Sequence, residues 1–453
     1  MSGDIDGFSV ESVYAELLSR APENKMEPRM GPLFRAMELL GEPNKAFPII
    51  HITGTNGKTS TARLIEGGLL AYGLRTGRYT SPHLSKVTER ISIDGKPVAD
   101  ETFVRIWDEI RPYLEMVDAE LAAAGEPKLT YFECVTILAY AVFADEPVDV
   151  AVVEVGLGGI TDATNVGDGQ VSVVTPISLD HTELLGDDVA DIAYEKAGII
   201  KPGGFLVSAA QPMGAAQVLL EKAREVGVPY RFEGVEFGVA SRVMAVGGQM
   251  VTIDGLAGRY EDVPVPLHGE HQAQNAAVAV AALEAFIGGG ARELDVELLR
   301  TGFSAVTSPG RLETVRTAPT IIVDAAHNPA GIKATAVAVK EAFNLTALTL
   351  VVGILAEKDA PGILEELREG FGELVNGICL TQSMSPRAIP AEELEEDALD
   401  AGFSEDLVHV EPKLDDALEW AVARAEETGD LGGGVLIIGS ITLVAEARTL
   451  LGK

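Results

Sequence analysis

The sequence predicts an α/β fold in which parallel sheets are flanked by helices. Short apolar runs rich in β-branched residues alternate with helix-length periodic segments, as in parallel α/β sheets. A glycine-rich loop ending in Lys58-Thr59 stands between the first of these runs and a helical segment. A fresh strand–helix alternation begins after residue 307. Together these observations predict a larger nucleotide-binding domain followed by a smaller α/β domain.

The predicted strands are short apolar runs of five to eight residues. They cover residues 48–53, 148–155, 171–176, 320–324, 348–353, 377–381 and 435–439. A helix is expected to begin near Lys58, because apolar residues after the first strand fall at helical spacing, namely Ala62, Ile65, Leu69 and Tyr72.

The middle of the chain has a different pattern. Residues 226–267 are rich in Gly and Val with short alternating runs, which predicts strands and turns inserted before a helix at 275–287. The segment Thr307-Ser308-Pro309-Gly310 is a plausible linker, since Pro and Gly interrupt regular structure there. We therefore predict two domains, covering residues 1–306 and 307–453.

The composition is that of an acidic globular protein. The 453 residues include 35 Lys plus Arg and 69 Asp plus Glu, giving a formal net charge of −34, and 47% are hydrophobic. This apolar share excludes a disordered acidic chain. The negative charge argues against binding nucleic acid or an anionic membrane through a broad basic face. Cys134 and Cys379 are the only cysteines, which excludes a disulfide scaffold and fits a reducing compartment.

The sequence also predicts where the protein resides. The first six residues are acidic and lack a basic region followed by an apolar stretch, so we expect no secretory signal. No run of about 18 apolar residues occurs, so we expect no membrane span. These features predict a cytoplasmic protein.

The strongest single motif is a phosphate loop, Thr53-Gly54-Thr55-Asn56-Gly57-Lys58-Thr59. Its glycines let successive backbone amides face phosphate oxygens, and the helix N-terminus adds partial positive charge. Lys58 would supply a charge to the β- and γ-phosphates, and the Thr59 hydroxyl can bind Mg²⁺. The strict pattern has glycine at the position of Ile52, so this is a variant loop. A simple Gly-rich turn with a surface lysine is the alternative.

Glu154 is the expected acidic partner of a bound metal. It ends a very apolar predicted strand and is followed by Gly156-Leu157-Gly158-Gly159. Ligands bind at the carboxyl ends of strands in open α/β sheets, which is where this carboxylate is expected. The alternative is a carboxylate that only caps a loop.

Further segments, taken with the phosphate loop, resemble the folylpolyglutamate synthase/dihydrofolate synthase family of the Mur ligase superfamily. Most single matches are weak, but they run in order across nearly the whole chain, and the ordered set is specific. The segments are Tyr79-Thr80-Ser81-Pro82-His83-Leu84, Thr130-Tyr131-Phe132-Glu133, Asp162-Ala163-Thr164-Asn165, Leu179-Asp180-His181-Thr182-Glu183, Glu195-Lys196-Ala197-Gly198, His271-Gln272 with Asn275-Ala276, Pro309-Gly310-Arg311-Leu312-Glu313, Asp324-Ala325-Ala326-His327-Asn328-Pro329 and Gly439-Ser440.

The resemblance implies both a fold and a reaction. The fold would be a phosphate-loop central ATPase domain of the Mur ligase type followed by a smaller Rossmann-like domain. ATP would phosphorylate a carboxylate on dihydropteroate or on the glutamyl tail of a folate. The amine of L-glutamate would then attack the acyl phosphate, releasing phosphate. Such chemistry needs positioning and charge neutralisation more than a nucleophilic side chain. The implied protein is a monomer that uses ATP, two Mg²⁺ ions and a monovalent cation such as K⁺.

The resemblance also implies metal ligands. One Mg²⁺ would be held by Thr59, Ser81 and Glu154, and a second ion by Glu154, His181 and Lys196. The matching lysine of the family is carbamylated, which converts an ammonium into an anionic oxygen ligand. That reaction requires a neutral amine, and hence a lysine with a depressed pKa. Without the resemblance, Lys196 would be interpreted as a surface lysine and His181 as an ordinary histidine.

Nucleotide contacts are implied in both domains. Asn275 resembles the adenine contact of the family, Arg311 its phosphate contact and Asp324 its ribose ligand. His327 would lie near the γ-phosphate and is a catalytic candidate together with Lys58 and Lys196. The alternative for His327 is a residue that only starts a helix.

Substrate residues are implied by weaker matches. Phe132 and Glu133 would line the pterin pocket, since an aromatic face and a carboxylate suit a flat ring with N–H donors. Phe132 as a core residue is the alternative. Lys358-Asp359 and Ser385-Pro386-Arg387 match segments expected around the incoming glutamate. His51, inside a predicted strand, is interpreted as structural.

One departure from the family pattern bears on substrate handling. Ile160 and Thr161 stand where the family usually has Arg and Leu, which removes a planar cation near the substrate loop. Other classes stay open at this point. They are another Mur-type ligase, a phosphate-loop regulatory ATPase that leaves the Asp324 segment unexplained, and an inactive binding protein, against which the intact Lys58 and Glu154 argue. A bifunctional and a purely polyglutamylating enzyme are equally compatible with the sequence.

Overall fold

A computed structural model describes residues 9–22, 27–427 and 432–453. The first six residues, on which the absence of a secretory signal was predicted, lie outside this range. The chain divides into two compact units. The first unit contains residues 1–240, 252–263 and 275–306, and the second contains residues 241–251, 264–274 and 307–453.

An eight-stranded sheet forms the centre of the first unit. Its strands are β1 (Ile49–Thr53), β2 (Thr76–Tyr79), β3 (Ile91–Ile93), β4 (Lys96–Pro97), β5 (Val150–Glu154), β6 (Gly169–Val174), β7 (Phe205–Ser208) and β8 (Tyr230–Phe232). The strand order is β4-β3-β2-β5-β1-β6-β7-β8. Only β3 and β4 are antiparallel to their neighbours. β1 lies between β5 and β6 with all its residues buried, which explains its continuous apolar sequence.

Helices cover the sheet of the first unit. In chain order the helices up to residue 306 are α1 (Val10–Leu18), α2 (Gly31–Leu39), α3 (Lys58–Ala71), α4 (Asp100–Ala124), α5 (Tyr131–Asp145), α6 (Thr182–Leu185), α7 (Val189–Ala197), α8 (Met213–Val226), α9 (Glu270–Gly288) and α10 (Val296–Ser304). α1, α2, α4 and α5 share one apolar core that includes Trp107 and Phe143. A separate core joins α7 and α8 to β6 and β7, with Ile192 and Leu219 at its centre.

A small sheet interrupts the chain before α9. Its strands are β9 (Gly238–Ala245), β10 (Gly248–Asp254) and β11 (Arg259–Val265), in the order β11-β10-β9. The strands and turns predicted between residues 226 and 267 are therefore confirmed.

The second unit holds a six-stranded sheet. Its strands are β12 (Glu313–Thr317), β13 (Thr320–Asp324), β14 (Ala347–Val352), β15 (Val375–Leu380), β16 (Val408–Val410) and β17 (Gly433–Ile438). The order is β12-β13-β17-β14-β15-β16, and only β12 runs antiparallel to its neighbour. The flanking helices are α11 (Pro329–Ala342), α12 (Ala360–Phe371), α13 (Leu394–Asp400), α14 (Leu414–Glu426) and α15 (Ile441–Leu450).

Helix caps account for several polar residues of the second unit. Asn328 accepts a hydrogen bond from the N–H of Gly331 at the start of α11. Asp359 and Ser440 accept equivalent bonds at the starts of α12 and α15. Such caps satisfy N–H groups that have no partner within the helix. These matched motif residues therefore have local structural roles.

The α/β class predicted from the sequence is confirmed. Each predicted strand is present, with boundaries shifted by about two residues or less, and the helix expected near Lys58 begins there. Among the described helices, none has both the length and the hydropathy needed to cross a bilayer.

Candidate active site

The phosphate loop connects the central strand β1 to helix α3. Gly54 and Gly57 have φ angles of 144° and 88°, in a region that favours glycine. A Cβ atom at Gly54 would lie 1.9 Å from Oγ1 of Thr175, and one at Gly57 would lie 2.6 Å from Oδ1 of Asn275. Both positions therefore require glycine for conformation and for space.

The segment after β6 fixes the shape of this loop. The backbone N–H groups of Thr55 and Asn56 donate to the carbonyl oxygen of Pro176 at 3.0 and 3.3 Å. The Thr55 hydroxyl donates to the carbonyl of Ser178 and accepts from its N–H, both at 3.1 Å. Because β6 neighbours β1, the two carboxyl ends meet at one edge of the sheet. The loop is thus preorganised by backbone contacts.

Two lysines converge on one loop carbonyl. Lys58 Nζ donates to the carbonyl oxygen of Gly54 at 3.0 Å and to that of Thr55 at 3.2 Å. Lys196, in the last turn of α7, also donates to Gly54 O at 3.0 Å. Lys196 is 4% exposed, and burial, with Lys58 as a secondary cause, lowers its pKa to about 7. The loop therefore lies in a strongly cationic environment that suits phosphate oxygens.

A hydroxyl and a carboxylate face each other beside the loop. Thr59 Oγ1 lies 3.0 Å from each carboxylate oxygen of Glu154, which ends β5 and is 2% exposed. In the sheet register Glu154 is paired with Ile52, just before the phosphate loop. Both groups are hard oxygen donors, the type that Mg²⁺ prefers.

The remaining metal candidates lie at the same sheet edge. Ser81 follows the end of β2, the neighbour of β5 on the side away from β1. His181 precedes α6 with a φ of 52°, and its Nε2 is 3.9 Å from Oδ1 of Asp180. Within the described part of the chain, no three His, Cys, Asp or Glu side chains cluster as a metal site. A metal here would therefore need hydroxyl oxygens or a modified lysine in addition to Glu154.

Asn275 lies beneath the phosphate loop. It is 3% exposed on α9, and its amide group lies within 3.2 Å of the Cβ position of Gly57. The structure thus places Asn275 with Lys58, Thr59, Glu154 and Lys196 around one loop of the first unit.

The two pterin candidates differ in their surroundings. The Phe132 ring packs on Gly156, where an added Cβ would lie 2.4 Å from Cζ, and its centroid is 6.2 Å from that of Tyr79. Glu133 is 5% exposed and accepts from the N–H of Thr130 at 2.7 Å and from Arg29 at 3.3 Å. The sequence analysis missed this capping role of Glu133, although Thr-x-x-Glu at a helix start is its signal.

A buried ion pair supports the strand that leads to Ser81. Arg78 on β2 donates from Nε to Oε2 of Glu66 on α3 at 2.6 Å, and the side chains are 2% and 5% exposed. Arg78 also donates to the hydroxyls of Thr80 and Ser92. The pair ties β2 to the helix that follows the phosphate loop. The sequence signal is a charged residue inside each of two buried segments.

In the second unit, Asp324 is enclosed by hydrogen bonds. It is 5% exposed, and its Oδ2 accepts from the N–H of Leu312 at 2.8 Å. Its Oδ1 accepts from the N–H of Ala326 at 2.9 Å and from the hydroxyl of Thr335 at 3.1 Å. The carboxylate therefore joins the segment before β12 to the segment after β13.

His327 and Arg311 lie near this carboxylate in the chain. Nδ1 of His327 is 2.9 Å from the carbonyl oxygen of Ala325, so Nδ1 carries a proton and donates to that oxygen. The backbone N–H of Arg311 donates to the carbonyl of Ser308 at 3.1 Å. Arg311, Asp324 and His327 thus lie in the second unit, apart in the chain from the phosphate loop.

Comparison with known families gives two matches that together span most of the chain. Residues 52–283 match the Mur ligase middle domain. Residues 310–441 match the Mur ligase glutamate ligase domain. The first match contains the phosphate loop and Glu154, and the second contains Arg311, Asp324 and His327.

Individual relatives cover almost the full length. A protein of Mycobacterium tuberculosis named dihydrofolate synthase/folylpolyglutamate synthase is 45% identical over 455 residues, covering 96% of this chain and 92% of its own. The crystal structure of M. tuberculosis folylpolyglutamate synthase complexed with ADP and AMPPCP superposes with a TM-score of 0.92 at 43% identity, covering 98% of each chain. Escherichia coli FolC in complex with DHPP and ADP gives a TM-score of 0.82 at 29% identity, again over 98% of each chain.

Proposed function

This chain belongs to the folylpolyglutamate synthase/dihydrofolate synthase family of Mur ligases, and on that premise we propose that it joins L-glutamate to a folate, to dihydropteroate, or to both. It is an ATP-dependent carboxylate–amine ligase. The observation that carries the proposal is the convergence of Lys58, Lys196 and the Thr59–Glu154 pair on one phosphate loop. Such an arrangement suits transfer of a phosphoryl group from ATP.

The reaction proceeds in two balanced steps. A carboxylate oxygen of the acid substrate attacks the γ-phosphorus, the bond to the β-phosphate oxygen breaks, and ADP leaves. The amine of L-glutamate then attacks the acyl carbon, phosphate leaves with the bonding electron pair, and the nitrogen loses its extra protons. Loop amides and Lys58 stabilise the charge on the transferred group, which is the main catalytic task in phosphoryl transfer.

The oxygen donors beside the loop fit a magnesium ion. The Thr59 hydroxyl and the Glu154 carboxylate, 3.0 Å apart, would hold it together with Ser81. Mg²⁺ supplies neutralisation of phosphate charge when it is bound. A second ion would be held by Glu154, His181 and Lys196. A monovalent cation such as K⁺ is also proposed as a cofactor. The protein's own contribution is to fix these ligands at the carboxyl edge of the sheet.

Lys196 is proposed to carry a carbamate. Its lowered pKa, about 7, leaves a large neutral fraction near neutral pH. The neutral amine adds to CO₂, forming an N–C bond and releasing one proton, so the side chain becomes anionic. In its ammonium form it donates to Gly54 O instead. The modification would therefore replace a cation beside the phosphate loop by oxygen ligands.

The acid substrate is proposed to lie beside Phe132. Its ring packs on Gly156, two residues after the end of the Glu154 strand, so a flat ring bound there would lie near the carboxyl edge of the sheet. Glu133 already accepts from Thr130 and Arg29, so its role towards a pterin would use its remaining acceptor capacity. Ile160 packs closely on Gly198, where an added Cβ would lie 2.5 Å from its Cγ1. Aliphatic packing thus occupies the place of the family's Arg.

The other contacts extend the same proposal. We assign adenine to Asn275, phosphate to Arg311, ribose to Asp324 and the γ-phosphate region to His327. The segments at 358–359 and 385–387 are assigned to the incoming glutamate. We also propose that the enzyme is a monomer with domains at 1–306 and 307–453. A cytoplasmic location is proposed as well, and the free, buried Cys134 and Cys379 suit a reducing compartment.

A ligation assay tests the function directly. The purified protein is incubated with ATP, Mg²⁺ and L-glutamate, with dihydropteroate and tetrahydrofolate in parallel, and products are identified by mass. We expect addition of a glutamyl residue to at least one acid, with phosphate release that requires both the acid and glutamate. Phosphate release at the same rate with and without L-glutamate would overturn the proposal in favour of a regulatory ATPase. Ligation of glutamate only to an unrelated carboxylate would identify another Mur-type ligase.

A further inference from the structure

A chain of buried hydrogen bonds connects strand β1 to the loop after β5. Nε2 of His51 is 2.9 Å from Oγ1 of Thr164, which donates to Oδ1 of Asp162 at 2.5 Å. The N–H of Thr164 donates to the same Oδ1 at 3.0 Å. The N–H of Leu157 donates to the other oxygen, Oδ2, at 2.9 Å. His51 and Thr164 are 0% exposed and Asp162 is 1% exposed.

The direction of each hydrogen bond follows from the protons available. Burial raises the pKa of Asp162, whereas the hydrogen bonds from the Thr164 hydroxyl and from the N–H groups of Leu157 and Thr164 favour its ionised form. We assign the ionised form, because it accepts all three bonds. The single hydroxyl proton of Thr164 is thereby committed to Asp162. Nε2 of His51 must then carry the proton that Oγ1 accepts. Burial lowers the pKa of His51 to about 3, so the ring stays neutral.

The second ring nitrogen supports this assignment. Nδ1 of His51 is buried and has no hydrogen-bond partner among the described residues. A protonated Nδ1 would be an unsatisfied buried donor, which is rarer and costlier than an unsatisfied acceptor nitrogen. The Nε2–H tautomer is therefore the one that the surroundings select.

The loop at the Asp162 end of these hydrogen bonds contacts three residues around the proposed site, namely Phe132, Lys196 and Thr53. It comprises residues 156–159 and directly follows the Glu154 strand. Gly156 lies under the Phe132 ring, and a Cβ at Gly159 would lie 3.0 Å from the carbonyl oxygen of Lys196. The Thr53 hydroxyl donates to the carbonyl of Gly158 at 2.9 Å. A shift of this loop would therefore move the surface on which the Phe132 ring packs, and it would also reach Thr53 and Lys196.

We propose that His51 is a positioning residue that fixes the 156–159 loop, through Thr164 and Asp162, for binding of the acid substrate. This inference rests on the proposed function, because it assigns the loop to the acid. His51 orients the Thr164 hydroxyl so that its proton points at Asp162, and a chain of such bonds strengthens each member. The phosphate loop is bonded to the 156–159 loop only through the Thr53 hydroxyl among the hydrogen bonds described above, and its bonds to Pro176 and Ser178 are independent of Asp162. We therefore expect ATP binding to change less than binding of the acid.

The kinetic test compares a variant that lacks the donor with one that keeps it. His51→Phe preserves a planar ring and removes the N–H, whereas His51→Gln preserves an N–H at nearly the same reach. We expect His51→Phe to raise KM for the acid substrate about tenfold, the change expected for one buried hydrogen bond, and to raise KM for ATP by less than about twofold. His51→Gln should restore KM for the acid to within about twofold of the wild type. Equal increases in both KM values would overturn the proposal, because they indicate a general structural role.

A double-variant cycle tests the route through Thr164. Thr164→Val removes the hydroxyl at nearly constant volume and should reproduce the His51→Phe defect. The double variant should be no worse than either single variant, since both break the same chain. Multiplicative defects would show independent effects and refute the route. His409→Gln, which changes a histidine stacked on Trp420 in the second unit, is the matched control.

A spectroscopic test on the wild-type protein is independent of catalysis. In the wild-type protein with ¹⁵N-labelled histidine, the His51 signal, assigned from the spectrum of His51→Gln or by site-specific labelling, should show protonated Nε2 and unprotonated Nδ1. That pattern should persist unchanged from pH 8 to pH 5. An Nδ1–H tautomer, or titration near pH 6.5, would overturn the proposal even in a fully active ligase. Conversely, the expected spectrum in a protein without ligase activity would refute the proposed function and leave the network intact.

Discussion

The phosphate-loop region of the first unit and the Asp324 region of the second unit use charged side chains in opposite ways. In the first, Lys58 and Lys196 both donate to one backbone carbonyl, and Glu154 faces a hydroxyl. In the second, Asp324 accepts three hydrogen bonds from within its own unit. The first region concentrates cations on a loop shaped for an anion. The second uses its carboxylate to hold two chain segments together.

The contacts of a motif residue therefore indicate whether it acts mainly in stability or in catalysis. A buried carboxylate that satisfies backbone N–H groups of its own fold contributes mainly to stability, because its removal leaves buried donors without an acceptor. A side chain placed beside a preorganised anion loop contributes mainly to transition-state stabilisation. We therefore expect substitutions in the two regions to separate into losses of activity and losses of stability.

Substitution of Lys58 should give the largest effect. Lys58→Ala removes one preorganised cation from the phosphate loop, and we expect a loss of about 3–4 kcal/mol of transition-state stabilisation, or roughly 10²–10³-fold in kcat/KM. The thermal midpoint should change little. Lys45→Ala, at a lysine that is 63% exposed and paired with Glu42, is the control and should retain full activity. Near-normal turnover of Lys58→Ala would contradict the role of Lys58 in transition-state stabilisation.

Substitution of Asp324 should affect stability instead. Asp324→Asn replaces one acceptor oxygen by an NH₂ group and leaves a backbone N–H facing a donor, so we expect the free energy of unfolding to fall by about 1–3 kcal/mol. Urea titration measures this loss. Asp359→Asn is the matched control, since Asn and Asp cap helices equally well. An Asp324→Asn protein with wild-type stability and weakened ATP binding would show that ribose contact outweighs the internal bonds.

The buried His51 of the first unit should make the free energy of unfolding depend on pH in the acid range. The pKa of His51 is about 3 in the folded protein and about 6.5 in an unfolded chain. Between these values the unfolded chain binds one more proton, so the free energy of unfolding falls as the pH decreases below 6.5. His51→Gln removes this term, which amounts to about 1.4 kcal/mol at pH 5.5. Urea midpoints of both proteins at pH 7.5 and 5.5 measure it, and parallel losses in the two proteins would contradict the pKa of His51.

An exposed ion pair should give the smallest effect. Glu357 and Arg387 form a salt bridge in the second unit with side chains that are 30% and 40% exposed. We expect Glu357→Gln to change the free energy of unfolding by less than about 1 kcal/mol, because solvent screens such pairs. The difference should shrink further at high salt. If Glu357→Gln instead lowers the free energy of unfolding as much as Asp324→Asn does, at all salt concentrations, then solvent does not screen this ion pair as its exposure predicts.

Local features of the site were predictable from the sequence. The phosphate loop, the start of α3 at Lys58 and the position of Glu154 at a strand end follow from residue patterns within short segments. The family resemblance extended these to the complete α/β fold. The capping role of Glu133 was also local, but the substrate interpretation took precedence over it.

Other features depend on distant parts of the chain. His51 and Thr164 are 113 residues apart and meet only because β1 is inserted between β5 and β6. The enclosure of Asp324 requires the turn that returns the chain to Leu312 and the helix that presents Thr335. Sequence patterns specify the elements, whereas strand order decides which side chains become neighbours. These contacts therefore emerged only from the structure.

The shared carbonyl of Gly54 has a consequence for selectivity in a cell rich in phosphorylated compounds. Lys58 already has acceptors, as has Lys196 in its ammonium form, so an anion that recruits Lys58 must compensate for the hydrogen bonds it displaces. A polyphosphate chain can accept from several such donors at once, whereas a single phosphate group makes fewer contacts. We therefore expect the loop to favour nucleoside triphosphates over single phosphate groups.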